Sequence, residues 1–230
     1  MATPAFDYTN HSPRPSSRWL KAASLVMPGI RRVQGQITPY ANSWTRANQA
    51  ALQHAHPLWV VIGDSMSQGI GASSYDKGWV GLLQHKLTDR GQHYRVINLS
   101  MSGARVRDAL DLQLPVLRQL DVKPELVTVL IGANNLLRAK YRKPFLQEFS
   151  QLLGELPDGT VIGSLTGPSP EATQGNALLQ EQAANRRFKI ASMEQAFRPP
   201  VRDMLAQDFF HPNDRGYAAI ADVFEAAING

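Results

Sequence analysis

The chain of 230 residues has no cysteine. No disulfide can form in it, and no thiolate can act as nucleophile or metal ligand. It has no run of eighteen or more apolar residues, so no membrane-spanning helix is expected. A His-Glu-x-x-His zinc pattern is missing, as is a phosphate-cradling glycine loop with lysine. Gly69-Ile70-Gly71 is too short for a dinucleotide fingerprint and does not directly follow a strand. No metal, organic cofactor or nucleic-acid partner is therefore expected. There is no internal repeat of fixed period.

Acidic residues are scarce at the start of the chain. Residues 1–56 hold Arg14, Arg18, Lys21, Arg31, Arg32 and Arg46 but a single anion, Asp7, and so carry the whole net charge of +5. The remaining cations and anions balance. Such asymmetry permits contact with an anionic surface, although a solvated basic face is the plainer reading. The apolar run 22–30 follows Arg18 and Lys21, as in a signal peptide. Pro28 and Gly29 interrupt it, Arg31 and Arg32 follow at once, and no small-x-small cleavage site appears. It reads as retained structure, and a cytoplasmic location is expected.

A hydrophobic fraction of 43% and a charged fraction of 19% mark an ordinary globular chain, and the length suits one sizeable core. Residues 1–56 read as a basic N-terminal extension and 57–230 as a single domain. Residues 1–17, rich in Pro, Ser, Thr and Asn, read as a loose tail. Thr38-Pro39 gives a helix start, and Tyr40, Trp44, Ala47 and Ala51 form an apolar stripe that suits docking on the body.

From residue 58 the chain alternates. Strands are predicted at 58–62, 94–99, 126–131, 160–165 and 188–191. Helices are predicted at 79–87, 106–120, 138–156, 171–185 and 214–228. The third strand is continuous in Val, Thr, Leu and Ile, as a strand buried on both faces should be. Strand-helix alternation predicts a parallel sheet with helices on both sides. Ligands of such sheets bind at the carboxyl ends of the strands.

Four places at those ends carry chemistry. Gly63-Asp64-Ser65 follows the first strand, where a serine entering a helix presents its hydroxyl at the sheet's rim. Asp208-Phe209-Phe210-His211 precedes the last helix. An imidazole is the natural base for a serine hydroxyl, and a carboxylate three residues away can fix its tautomer. Gly103, after the second strand, and Asn134, after the third, are suitable donors to an oxyanion. Each signal alone is an ordinary loop feature; their joint placement is not.

In order and approximate spacing, Gly63-Asp64-Ser65, Gly103, Gly132-Ala133-Asn134 and Asp208-Phe209-Phe210-His211 resemble the four sequence blocks of the SGNH (GDSL-type) hydrolases. The resemblance covers residues 58–228. It implies a three-layer α/β/α sandwich with a five-stranded parallel sheet, similar to flavodoxin's. It also implies Ser65 as nucleophile, with His211 and Asp208 completing a triad. Ser65 N–H, Gly103 N–H and the Asn134 amide would form the oxyanion hole. Acting on small acyl esters, such a site works as an ester hydrolase through an acyl-enzyme. An acyltransferase on the same triad, or a non-catalytic binding module, are the alternatives. Met66, Leu136, Phe209 and Phe210, with Leu137, neighbour the site and are candidates to line an acyl pocket. Two residues depart from the family pattern: Met66 stands where the family has Leu, and Asn135 where it has Asp, which questions the local support of Asn134.

Overall fold

The computed structural model describes residues 6–13, 26–185 and 187–230. Arg14, Arg18, Lys21, the part of the apolar run before residue 26 and most of the predicted tail lie outside them. Among the described residues, no helix is long and apolar enough to cross a membrane.

Five parallel strands form one sheet: β1 (Leu58–Gly63), β2 (Arg95–Asn98), β3 (Leu126–Leu130), β4 (Thr160–Gly163) and β5 (Phe188–Ala191). Their order is β2-β1-β3-β4-β5. All five predicted strands are present, some shorter by a residue or two at the ends. The order reverses between β1 and β3, and that topological switch point is where a doubly wound sheet opens a crevice for ligands.

The apolar character of β1 follows from its position. Every one of its six residues is buried. Val60 and Ile62 enter one core, and Trp59 and Val61 the other. Full burial of such a side chain is worth about 1.5–3 kcal/mol. The indole N–H of Trp59 would be an orphan there, and it donates to Thr128 Oγ1 on β3 at 2.9 Å.

Helices cover both faces. On one side lie α3 (Trp79–Asp89), α10 (Met193–Ala196) and α11 (Asp214–Asn229), with Trp79 stacked on Phe224 at 4.2 Å between centroids. On the other lie α4 (Val106–Asp108), α5 (Leu114–Gln119), α8 (Phe145–Glu155) and α9 (Pro170–Ala184). Two short helices, α6 (Ala133–Leu136) and α7 (Ala139–Arg142), link β3 to α8.

Two helices predicted as continuous are interrupted, each at a proline. Pro144 has no N–H to donate back into α7, so the predicted 138–156 helix divides there. Pro115 has the same effect in the 106–120 segment, where a π-helical turn, Ala109–Gln113, lies between α4 and α5. That turn carries Gln113, fully buried, whose amide accepts from Gly63 N and donates to Gly63 O, both at 2.9 Å. Beyond the end of β2, the last residue of β1 is thus paired on that side by a side chain, while β3 stays in register with it at Leu130.

The described residues of the N-terminal extension pack on the sheet and its connections. Helix α1 (Pro28–Gln34) runs almost directly into α2 (Ile37–Ala51), so α2 begins before the expected Thr38 cap, with no side-chain cap. Trp44 and Ala51 of the predicted stripe are buried. Residues 6–13 differ from the loose tail expected of them. Tyr8 is buried with its hydroxyl donating to Leu99 O, and Asn10 is buried against β2. Strand β2 is an edge strand, and its outward polar groups at Asn98 are taken by side chains. Asn98 N donates to Asn48 Oδ1 at 2.8 Å, and Asn98 O accepts from Asn48 Nδ2 and Asn10 Nδ2 at 2.8 and 2.7 Å.

Replacing Gln113 with Ala strips Gly63 of both contacts and leaves buried backbone groups short of partners. The expected loss is about 2–3 kcal/mol in denaturant unfolding, with secondary structure retained.

Candidate active site

Ser65 lies two residues beyond β1, at the switch point. The segment that follows is a chain of tight turns and not the expected helix. Ser67 N and Gln68 N both donate to Asp64 O, at 3.1 and 3.2 Å, and Ile70 N to Ser65 O at 3.0 Å. Gly69 and Gly71, at φ +81° and +102°, then turn the backbone out of helical geometry. A helix dipole therefore does not act at Ser65.

His211 is brought to the serine from the other end of the chain. Its Nε2 is 2.9 Å from Ser65 Oγ, across 146 positions, and its Nδ1 is 2.6 Å from Asp208 Oδ2. The ring and the serine are nearly covered, at 7% and 6% exposure. The two oxygens of Asp208 have separate tasks. Oδ2 holds the imidazole, while Oδ1 accepts from Phe210 N and His211 N at 3.1 and 3.0 Å, so one carboxylate folds the turn and orients the ring. Burial works to raise the pKa of Asp208. The His211 hydrogen bond, the His211 charge and the two backbone N–H groups outweigh it and hold the carboxyl below its ordinary value.

Several contacts keep the two halves in register. Tyr217 of α11 donates to Ile70 O at 2.6 Å. Asp214 accepts from Ser73 N and Ser73 Oγ at 2.7 and 2.6 Å. Asn213 accepts from Arg215 N and Gly216 N at the start of α11 and donates to Asp203 O and Leu205 O. Gly71 passes so close to the histidine turn that a Cβ there would stand 2.4 Å from Pro212 O and 2.9 Å from His211 Cβ.

Of the expected oxyanion donors, Asn134 lies between two loops. The Asn134 amide donates to Ala104 O at 3.0 Å and to Asp64 Oδ2 at 3.3 Å, which sets it beside the neighbours of both Gly103 and Ser65. Gly103 has φ +78°, and nothing lies within 4 Å of where its Cβ would be. Asn135, at the position of the departure from Asp, is buried and supports a different element. Its Oδ1 accepts from Val106 N at 3.0 Å, at the start of α4. Support of Asn134 comes instead from Asp64, a residue whose part the sequence reading left unassigned although it stands inside the Gly63-Asp64-Ser65 block. Asp64 Oδ1 also accepts from Met66 N at 3.0 Å. Its burial raises the carboxyl to about 6, against the lowering influence of Met66 N–H, His211 and Asn134.

The apolar candidates divide. Met66 and Leu136 are partly buried, one against each core. Phe209, Phe210 and Leu137 are exposed, and Phe210 meets the His211 ring edge-on at 4.8 Å. Phe209 holds φ +55°, a left-handed conformation that costs a bulky side chain about 1–2 kcal/mol. Among the described residues, no group of three or more His, Cys, Asp or Glu is placed to hold a metal ion.

The family model described as GDSL-like lipase/acylhydrolase matches residues 61–219. Esterase TesA of Pseudomonas aeruginosa is 42% identical over 86 residues, 37% of this chain and 41% of that protein. An arylesterase of Vibrio mimicus is 33% identical over 109 residues, 47% of this chain and 53% of its own. The matches to these two relatives thus span about half of their length or less. The crystal structure of a lipase from a goat rumen metagenome superposes with a TM-score of 0.61 at 18% identity, over 74% of this chain and 97% of that one, and so shares the fold.

The raised carboxyl of Asp64 has a thermodynamic sign. Its ordinary value is 3.8 and its value in the fold about 6, so the native state holds this proton more tightly than the unfolded chain does. Its contribution to stability is full below the ordinary value and is lost as pH rises through about 6. The stability of Asp64→Asn relative to the parent should therefore rise between about pH 4 and about pH 7, by up to about 3 kcal/mol. Denaturant melts of both proteins at the two pH values measure it, and a constant difference would show that Asp64 is not held protonated.

Proposed function

The chain belongs to the GDSL-like lipase/acylhydrolase family, and from that premise we propose that it is a carboxylic ester hydrolase acting through an acyl-enzyme on Ser65. The observation that carries the reading is the continuous hydrogen-bond path from Ser65 Oγ through the His211 ring to Asp208. A serine hydroxyl is a weak nucleophile until a base takes its proton, and His211 Nε2 stands where that base is needed.

In the first half-reaction Ser65 Oγ attacks the ester carbonyl carbon as its proton passes to His211 Nε2. Asp208 stabilises the imidazolium and does not itself take the proton. The carbonyl electrons move onto oxygen, and this oxyanion is received by Ser65 N–H, Gly103 N–H and the Asn134 amide. The longer of the two Asn134 contacts, that to Asp64, is the one given up to it. Collapse breaks the bond to the alcohol, which leaves with the proton from His211. Water, deprotonated by the same ring, then attacks the acyl-enzyme, and the acid departs with Ser65 restored.

An apolar rim supports a reading of the substrate: Phe209, Phe210 and Leu137 expose apolar surface, and Phe210 does so against the His211 ring. Such a rim fits small esters with an apolar acyl or aryl part, taken directly from water. Met66 and Leu136 offer only their partly exposed flanks to it.

Ser65→Ala should abolish hydrolysis of short-chain p-nitrophenyl esters and labelling by a fluorophosphonate. Wild-type turnover by the purified variant would overturn the assignment. Asn134→Ala should lower kcat by about 10²–10³ with KM little changed, the usual result of removing one oxyanion donor.

A further inference from the structure

We propose that Asn10, a residue of the N-terminal extension, is a positioning residue for the oxyanion turn. The inference rests on the reading of Gly103 N–H as an oxyanion donor. Asn10 lies outside the residues matched by the family model, which begins at 61, yet it is 1% exposed. All the hydrogen-bonding capacity of its side chain is in use. Nδ2 donates to Asn98 O at 2.7 Å and to Ser100 O at 2.9 Å. Oδ1 accepts from Asn48 Nδ2 at 3.2 Å and from Thr45 Oγ1 at 3.3 Å, which ties the amide to α2.

Those contacts define one geometry for the exit of β2. A single amide nitrogen that serves the carbonyls of residues 98 and 100 requires both to point at the same spot. The chain then has only Met101 and Ser102 before Gly103. A second path reaches the same turn. Asn10 O accepts from Gln68 Nε2 at 2.9 Å, and Gln68 Oε1 accepts from Ser102 Oγ at 2.5 Å. Gln68 is three residues from Ser65, so Asn10 joins the nucleophile turn to the glycine turn from behind. Asn10 thus braces the turn that carries Gly103 from behind, through an amide fixed to α2.

The test measures Asn10→Ala and Asn10→Asp well below their melting temperatures, with rates expressed per serine titrated by a fluorophosphonate. Both should lose about tenfold or more in kcat, with KM within about twofold of the parent, as befits donors displaced but not removed. The inhibition constant of a boronic acid, which forms a tetrahedral adduct on the serine, should rise in step with the loss in kcat/KM. A lower melting temperature with wild-type kcat per titrated serine and unchanged boronate affinity would overturn the proposal. If neither variant folds, Ser102→Ala breaks the Gln68 link without opening the core. Reduced kcat at unchanged KM in that variant supports the proposal, and wild-type kcat overturns it. An inert Ser65→Ala beside a fully active Asn10→Ala refutes this inference alone, whereas an active Ser65→Ala refutes the hydrolase reading beneath it.

Discussion

A parallel sheet covered by helices on both faces leaves little room for chemistry on those faces. Trp59, Val61, Val60 and Ile62 occupy both faces of β1, so polar groups can gather only where the strands end. At the switch point the connections from β1 and β3 diverge, and the resulting notch holds Ser65 from one strand and Asn134 from the other. The whole site depends on β1 ending where it does. Gln113, at the end of the π-helical turn that precedes Pro115, holds that end by pairing with Gly63.

The site is economical in its carboxylates. Asp208 folds its own turn with one oxygen and holds His211 with the other, while the strain at Phe209 is confined between those two anchors. Asp64 similarly serves Met66 N–H and the Asn134 amide. The two acids are driven in opposite directions by their surroundings. Asp208 has the His211 ring and two backbone donors as partners, whereas Asp64 is wholly enclosed. One acid is thus shifted toward its ionised form beside the histidine, and the other toward its neutral form beside the Asn134 amide.

What could be read from the residues depended on how local the cause was. The strands were legible because burial on both faces imposes continuous apolar runs, as in Val60 to Ile62 and Val127 to Leu130. The residues Ser65, Gly103, Asn134, Asp208 and His211 stood out through their order and their places at strand ends; hydrogen bonds join Ser65, His211 and Asp208, and Asn134 reaches Asp64 and Ala104. The helix interruptions had a visible cause in Pro115 and Pro144, but the π-helical turn depends on a distant partner at Gly63. The turn after Ser65 looked like a helix start, and only the positive φ of Gly69 and Gly71 shows why it is not. Least legible was the segment around Tyr8 and Asn10. Its composition is that of a tail, and its order comes from carbonyls about ninety positions away. The support given by Asp64 was hidden for a similar reason, because its partner is seventy positions distant.

The two flanks of the sheet are closed by different means. At β5, a strand of four residues, Lys189 stands exposed and donates to Ile228 O at the end of α11. At β2 the guard is a pair of carboxamides, Asn48 and Asn10, seated on the outward backbone of Asn98. Unpaired strand edges are templates on which other chains can add a strand, and natural sheets shield them. The segment around Asn10 thus shares with α2 the cover over this rim, and without it Asn48 alone would stand between the backbone of Asn98 and an incoming strand.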